Sequence, residues 1–181
     1  SGQTQVGGAF GSIEDDDPEN DIAASPASTR GLGRHLAMKL DLLDPKKIHV
    51  VYRDDFNSQL RYALYDGEVG WKYEIVDGKK SPVGAGADLS LVQRTGKTGT
   101  SVIPIAAYSD ETLGSLKVAV RAEEDGKAKW QDYMVDSPGA TGTSPVLDVA
   151  LAEKEIYMGL AFVRNLGANK GAVKFEFFRV P

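Results

Sequence analysis

Short alternations of apolar and polar residues, separated by turn residues, run along most of the chain. Leu36, Met38 and Leu40, for example, alternate with polar or small neighbours, and a period of two is typical of a β-strand. Asp-Pro, Asp-Gly and other glycine-containing turns divide such segments from one another. The pattern predicts eleven strands at 36–40, 48–52, 59–65, 71–76, 87–92, 102–108, 115–121, 129–135, 146–151, 156–163 and 171–178.

Part of this pattern is an internal repeat. The segment 48–77 recurs as the segment 105–136, and a third copy begins near residue 146 but supplies only three strands. The matched positions are Tyr52 with Tyr108, Asp54 with Asp110, Leu60 with Leu116, Ala63 with Ala119, Asp66-Gly67 with Asp125-Gly126, Trp71 with Trp130, and Val76-Asp77 with Val135-Asp136. A repeat of this length, filled with short strands, indicates a β-propeller or another repeated sheet.

Four antiparallel strands in each repeat match the size of one β-propeller blade. We therefore predict an all-β fold of about three four-stranded antiparallel blades at 31–82, 83–140 and 141–181, preceded by a segment, 1–30, that holds a short strand and an acidic polar loop. Propellers close with roughly 4–8 blades, so three blades would leave an apolar flank exposed. We expect them to belong to a larger propeller or to one completed by an oligomer. The missing fourth strand of the third blade could come from residues 3–10 or from another chain, and a β-sandwich is the alternative fold.

Charge and composition narrow the classes of partner. The net charge of −5 disfavours nucleic acid as a partner, because such binding normally needs a basic surface. No apolar run approaches the ~18 residues of a membrane span, so we predict none. The absence of cysteine excludes disulfides, thiol nucleophiles and cysteine zinc sites. The compartment stays open, with an extracellular or cell-surface location favoured.

The repeated pattern of Tyr-x-Asp, turn, Leu-x-x-Ala, Asp-Gly turn, Trp strand and Val-Asp resembles the β-propeller repeats of bacterial sialidase-like and fucose-lectin-like proteins. It is carried by Tyr52, Asp54, Leu60, Ala63, Asp66, Gly67, Trp71, Val76 and Asp77, and again from Tyr108 to Asp136. The resemblance implies a propeller and, through the lectins, a capacity to bind glycans. Leu64, Glu68 and Gly70 depart from the Asp box of sialidase blades, so the resemblance does not extend to sialidase catalysis.

Two groups of residues are candidates for ligand binding. Trp71 and Trp130 either pack on the outer strand of each repeat or form aromatic platforms for a sugar, with Arg53 and Tyr65 or Arg121 and Tyr133 as polar partners. The second group is an acidic run that offers carboxylates to Ca²⁺, although it lacks the spacing of a calcium loop and also fits a solvated acidic segment. Its members are Asp15, Asp16, Asp17, Glu19 and Asp21. Beyond this possible Ca²⁺, no cofactor is expected.

Two other repeated or isolated polar features favour structural roles. Asp54 and Asp110 each precede a turn, where an Asp side chain commonly accepts hydrogen bonds from the turn's own backbone. His35 and His49 are the only histidines, and neither has a second histidine at metal-ligand spacing.

The sequence thus favours a non-enzymatic binding or assembly module whose partner is a glycan, another copy of the chain or another propeller chain. The alternatives are part of a glycosidase-like propeller enzyme and a purely structural assembly protein. Glycan binding predicts that Trp71 and Trp130 are partly exposed in clefts. Assembly predicts that they are buried and that exposed apolar surface lies on the flanking strands.

Overall fold

The computed structural model describes residues 35–55, 57–78, 81–96, 99–124, 127–136, 142–165 and 171–180. Within these ranges the chain forms eleven β-strands, each at a position predicted from the sequence pattern. They are β1 (Ala37–Leu40), β2 (Ile48–Asp54), β3 (Gln59–Tyr65), β4 (Trp71–Asp77), β5 (Val83–Gly96), β6 (Gly99–Asp110), β7 (Ser115–Glu124), β8 (Lys127–Met134), β9 (Gly142–Ala152), β10 (Glu155–Asn165) and β11 (Gly171–Val180). The described residues contain no helix that could span a membrane.

Consecutive strands pair in antiparallel fashion and form three sheets. The first sheet has the order β1-β2-β3-β4, the second β5-β6-β7-β8 and the third β9-β10-β11. This confirms the all-β class and the repeated antiparallel sheets, and the third sheet has three described strands, as its unfinished repeat predicts. A two-layered sandwich would have two sheets rather than three. The predicted strand in residues 3–10 and the acidic loop lie outside the described residues.

Two apolar layers join the three sheets in chain order. We call the face of a sheet that points toward the next sheet its forward face, and the opposite face its backward face. The layer between the first and second sheets contains Val51, Leu60, Tyr62, Val76, Leu89, Ala106, Tyr108 and Ala119. The layer between the second and third sheets contains Ile105, Ala107, Leu116, Val118, Val120, Leu147, Ile156, Met158, Leu160 and Phe162.

The central strands β6 and β7 of the second sheet are largely buried on both faces, and β7 shows how its sequence allows this. Leu116, Val118 and Val120 point forward into one layer, while Ala119 points backward into the other. Because side chains alternate between faces, one strand serves both layers. Burying each large aliphatic side chain contributes about 1.5–3 kcal/mol, so these layers supply most of the stabilisation of the sheet stack.

The second and third sheets approach closely at Gly86. This residue has a φ of +92°, and a Cβ built on it would lie 2.9 Å from the Ser144 backbone nitrogen. It occupies a register shift in β5, between Val83 and Ala87. A side chain here would be strained and would collide with the start of β9, so glycine is required.

The predicted capping role of the repeated aspartates is confirmed. Asp54 Oδ1 accepts a hydrogen bond from the Asn57 backbone N–H at 3.1 Å, and Asp110 Oδ1 accepts one from Leu113 N–H at 2.9 Å. Each carboxylate also meets a cation from the following strand. Arg61 Nε lies 3.1 Å from Asp54 Oδ2, and Lys117 Nζ lies 2.9 Å from Asp110 Oδ2.

Candidate functional site

Trp130 and Arg121, two of the predicted ligand-binding residues, are neighbours on the backward face of the second sheet. Both bind Glu74 of the first sheet. The indole N–H of Trp130 donates to Glu74 Oε2 at 2.8 Å. Arg121 donates through Nη2 to Oε1 at 2.7 Å and through Nε to Oε2 at 2.9 Å. Hydrogen bonding to Glu74 raises the pKa of Arg121, so this bidentate pair is a charged bridge between two sheets.

The aromatic face of this group continues into the first sheet. The Trp130 ring meets Tyr62 edge-on with centroids 5.2 Å apart, and the Arg121 guanidinium lies 6.0 Å from the Tyr62 ring centre. Tyr62 OH in turn lies 2.6 Å from His49 Nδ1, and His49 Nε2 lies 2.9 Å from Asp41 Oδ2. Because a carboxylate only accepts, Nε2 carries the proton and Nδ1 accepts from the tyrosine hydroxyl.

Electrostatics support a neutral His49. Burial lowers its pKa despite the opposing effect of Asp41. Burial also raises the pKa of Tyr62, which keeps its hydroxyl protonated as a donor. The contacts that link Asp41, His49, Tyr62 and Trp130 therefore form a continuous polar and aromatic network across the first two sheets.

A second polar cluster crosses the same pair of sheets. Asp77 Oδ2 accepts from Tyr108 OH at 2.7 Å and lies 3.1 Å from Lys117 Nζ. Lys117 also binds Asp110 and lies 3.7 Å from Asp132. Burial alone would lower the pKa of Lys117, but its hydrogen bonds to Asp110 and Asp77 raise it above the ordinary value.

These two clusters border a cleft of about 750 Å³ between the first and second sheets. The lining residues that carry its chemistry are Glu74, Asp77, Lys117, Lys129, Trp130 and Asp132. The Trp130 side chain is partly exposed in this cleft. An aromatic ring with several polar groups is an arrangement that suits a small polar ligand.

The predicted residues of the first repeat are not brought together in this way. Trp71 and Tyr65 pack against each other on the backward face of the first sheet, with ring centroids 5.3 Å apart. Arg53 lies on the forward face, where its Nε donates to the Val83 carbonyl at 2.8 Å and its guanidinium pairs with Asp55. Trp71 and Arg53 therefore lie on opposite faces of one sheet.

Tyr133 is separated from Trp130 for the same reason. It points to the forward face of the second sheet and packs against the second apolar layer. Its hydroxyl donates to Gln131 Oε1 at 3.1 Å, beside a smaller cleft of about 310 Å³. Of the six predicted ligand-binding residues, the geometry joins only Trp130 with Arg121 and Trp71 with Tyr65.

The predicted calcium ligands at residues 15–21 lie outside the described part of the chain. Within the described part, no group of three or more His, Cys, Asp or Glu residues is placed to hold a metal ion.

Sequence reasoning did not single out the forward face of the third sheet as a site. Val173, Phe175 and Phe177 alternate along β11, and their side chains are 64%, 78% and 73% exposed. Phe175 and Phe177, together with Val146 and Gly159, border an apolar hollow of about 360 Å³. The signal was available, since β11 aligns with β7 and its three apolar residues occupy the positions of Leu116, Val118 and Val120.

Comparison with known proteins adds no further assignment. No protein-family model matches the chain, and neither curated proteins nor solved structures give a significant match. The resemblance to sialidase-like and fucose-lectin-like repeats therefore stays a prediction, and the functional conclusion depends on the geometry of the chain itself.

Proposed function

We propose that this chain is a non-enzymatic assembly module that binds a protein partner through the forward face of its third sheet. The observation that carries this proposal is the row formed by Val173, Phe175 and Phe177. Among the described residues, Phe175 is the most exposed large apolar side chain, and Phe177 is nearly as exposed. Contiguous apolar surface of this kind is uncommon on a monomeric protein and marks an interaction site. The assembly hypothesis expects exposed apolar residues here, on a flanking strand, but it also expects buried tryptophans, and Trp71 and Trp130 are partly exposed.

The same proposal covers the architecture. The three sheets are blades of a β-propeller, and additional sheets complete the ring. Support comes from the face-to-face stacking of sheets in chain order and from the repeat that relates them. A further sheet against the third sheet would cover the exposed row, as the third sheet covers the equivalent row of the second.

A non-enzymatic role agrees with the fact that the carboxylates Glu74 and Asp77 in the large cleft already have hydrogen-bond and ion-pair partners within the chain. Glu74 is held by Arg121 and Trp130, and Asp77 is held by Tyr108 and Lys117. These carboxylates bridge sheets, and a catalytic acid or base must instead reach a substrate.

The test is the solution mass of the purified chain over a range of concentrations, measured by light scattering. We expect the wild-type chain to associate, so that its mass in solution exceeds the 19.4 kDa of a single chain. The double substitution Phe175→Ser and Phe177→Ser should abolish it without lowering the melting temperature. The matched control is Val69→Ser, an apolar residue in the β3–β4 loop that is 75% exposed and lies outside this face. A wild-type chain that stays monomeric contradicts self-association as the mode of assembly, and a control that dissociates as the double variant does contradicts the assignment to this face.

The second candidate function is glycan binding in the cleft between the first and second sheets, which the partly exposed Trp130 and the roughly balanced charges favour. Titration of tryptophan fluorescence with L-fucose, N-acetylneuraminic acid and neutral hexoses tests it. A saturable change that is lost in Trp130→Phe but retained in Trp71→Phe supports this function. No saturable change with any of these sugars contradicts it for these ligands.

A further inference from the structure

Each contact between neighbouring sheets in this chain is built from the same two halves. One half is an apolar triplet on the forward face of the third strand of a sheet. The triplets are Leu60, Tyr62 and Leu64 in β3 and Leu116, Val118 and Val120 in β7. The other half is an apolar pair on the inner strand of the following sheet. The pairs are Leu89 and Leu91 in β5 and Leu147 and Val149 in β9.

The two flanks of the stack carry one unmatched half each. The third sheet offers the triplet Val173, Phe175 and Phe177 with no sheet against it in the described part of the chain. The first sheet offers Met38 and Leu40 on β1, which are 57% and 53% exposed.

Strand register shows that these exposed residues are equivalent to the buried ones. Phe175 pairs with Ala161, as Val118 pairs with Ala107 in the second sheet. Met38 pairs with Val50, as Leu89 pairs with Ala106. Leu89 and Val118 are fully buried because a neighbouring sheet covers them. The flanks therefore present complementary halves of a contact that the chain already makes twice.

We infer that two copies of this chain associate head to tail, with the forward face of the third sheet of one copy against Met38 and Leu40 of the other. The inference rests on the proposed assembly function and names its partner. Each copy carries both halves, so a two-fold pair makes the same contact twice. Because a two-fold rotation relates the two copies, the pair is closed and contains six sheets.

The hollow on the third sheet fits this partner. Gly159 pairs with Phe177, whereas the corresponding position in the second sheet is Ile105, which pairs with Val120 and is fully buried. A Cβ on Gly159 would meet no atom within 4 Å. The space that an isoleucine fills in the second sheet is thus left open, and an unbranched Met38 or a Leu40 side chain from the second copy can enter it.

The extent of the contact is also set by the first sheet. Val50, Tyr52 and Ala63, on the same face as Met38, are already buried within the chain. The second copy therefore docks on the inner-strand row alone, and the contact is smaller than the contacts within the chain. Association should accordingly depend on concentration.

Two variants test the arrangement. One carries Phe175→Asp and Phe177→Asp, and the other carries Met38→Lys and Leu40→Lys, so that the altered faces have opposite charges when the two variants are mixed. In a head-to-tail pair each variant spoils one side of both contacts, so each alone should be monomeric by sedimentation velocity. An equimolar mixture should recover a heterodimer, because the intact first sheet of one variant meets the intact third sheet of the other. Unchanged circular dichroism confirms that each variant folds, and Val69→Asp should dimerise like the wild-type chain.

The outcomes separate this inference from the proposed function. If the Met38 and Leu40 variant still dimerises while the Phe175 and Phe177 variant does not, the third sheet mediates assembly but the head-to-tail arrangement is wrong. A mixture that shows no heterodimer overturns the arrangement as well. A wild-type chain that remains at 19.4 kDa throughout contradicts both the arrangement and the self-association expected of the module.

Discussion

The contact between the first and second sheets and the contact between the second and third sheets arise from the same repeat but are stabilised differently. At the first contact Tyr108 donates to Asp77 and Lys117 joins Asp77 to Asp110. At the second contact Phe162 takes the register position of Tyr108, opposite Lys174, which lies 3.7 Å from Asp136. At the second contact the Leu147 N–H also donates to Asp88 Oδ2 at 2.7 Å. The first contact thus combines apolar packing with a cluster of bridging polar side chains, whereas the second consists mainly of apolar packing.

This difference shows how a repeat can vary in its buried polar groups. A buried hydroxyl or carboxylate is costly without a partner, so Tyr108, Asp77 and Lys117 act as a unit. In the third sheet this position is held by Phe162, which has no hydroxyl and needs no hydrogen-bond acceptor. Larger apolar residues such as Met158 and Leu160 fill the layer between the second and third sheets instead. Polar bridges select one partner geometry, whereas apolar packing depends mainly on shape and volume.

The largest expected effect breaks the apolar contact. Phe162→Ala should lower the free energy of unfolding by about 3–5 kcal/mol, because it leaves a cavity in a close-packed layer. Phe162 is 1% exposed, whereas Phe175 on the opposite face of the same sheet is 78% exposed. The control Phe175→Ala should therefore change the unfolding free energy little. Urea denaturation at a concentration below that of self-association measures both, and equal losses would contradict this account of the layer.

The next effect distinguishes the two cations at equivalent positions. Lys117→Met should lower the unfolding free energy by about 2–4 kcal/mol, because Asp77 and Asp110 are left close together without their cation. Lys174→Met should cost clearly less, since Lys174 is more exposed and its single described carboxylate lies at 3.7 Å. Urea midpoints of the two variants measure the difference. A larger loss for Lys174→Met would reverse the assignment of the polar contact to the first pair of sheets.

A smaller effect makes the first contact resemble the second. Tyr108→Phe removes the hydroxyl that donates to Asp77 and should cost about 1–2 kcal/mol. Tyr157→Phe is the control, because the Tyr157 hydroxyl donates to Glu155 on the forward face of the third sheet, and Glu155 is more exposed than Asp77. Thermal unfolding of both variants is the measurement. If Tyr108→Phe is neutral, the bridge to Asp77 contributes no net stability.

The smallest effect depends on pH and again distinguishes the first contact. Burial holds the pKa of His49 below its ordinary value of 6.5, and the positive charges of Arg121 and Lys47 act in the same direction, while Asp41 opposes them. Between the folded and unfolded pKa values the unfolded chain binds more protons, so stability falls as the pH decreases through 6.5. The stability levels off below the pKa of His49 in the folded protein. Asp41 stays ionised in this pH range because its own pKa is lowered.

We expect this fall in unfolding free energy to be smaller than the loss in Tyr108→Phe. Urea midpoints measured from about pH 7 to about pH 5 test it. The His49→Gln variant should show a flatter dependence on pH than the wild-type chain, and the His35→Gln variant should keep the wild-type dependence. A wild-type urea midpoint that rises as the pH decreases would contradict a lowered pKa of His49 in the folded protein.

Much of the fold was predictable because it depends on residues that are close in sequence. Alternation along Ser115–Glu124 and the turn chemistry at Asp110 predict both a strand and the turn that precedes it. The repeat then predicts that the other sheets follow the same order. The site was less predictable. Trp130 and Arg121 do meet, but Arg53 and Tyr133 lie on the opposite faces of their sheets from Trp71 and Trp130.

By itself the sequence determined the eleven strands, the turns and the repetition of three sheets, since each depends on local backbone preference and on a period of two. Only the tertiary structure decided that Trp130 donates to Glu74, that Asp77 binds Tyr108 and Lys117, and that Phe175 and Phe177 are exposed. Those facts depend on which face of one sheet meets which face of another. A strand pattern specifies an apolar face but not the surface that covers it.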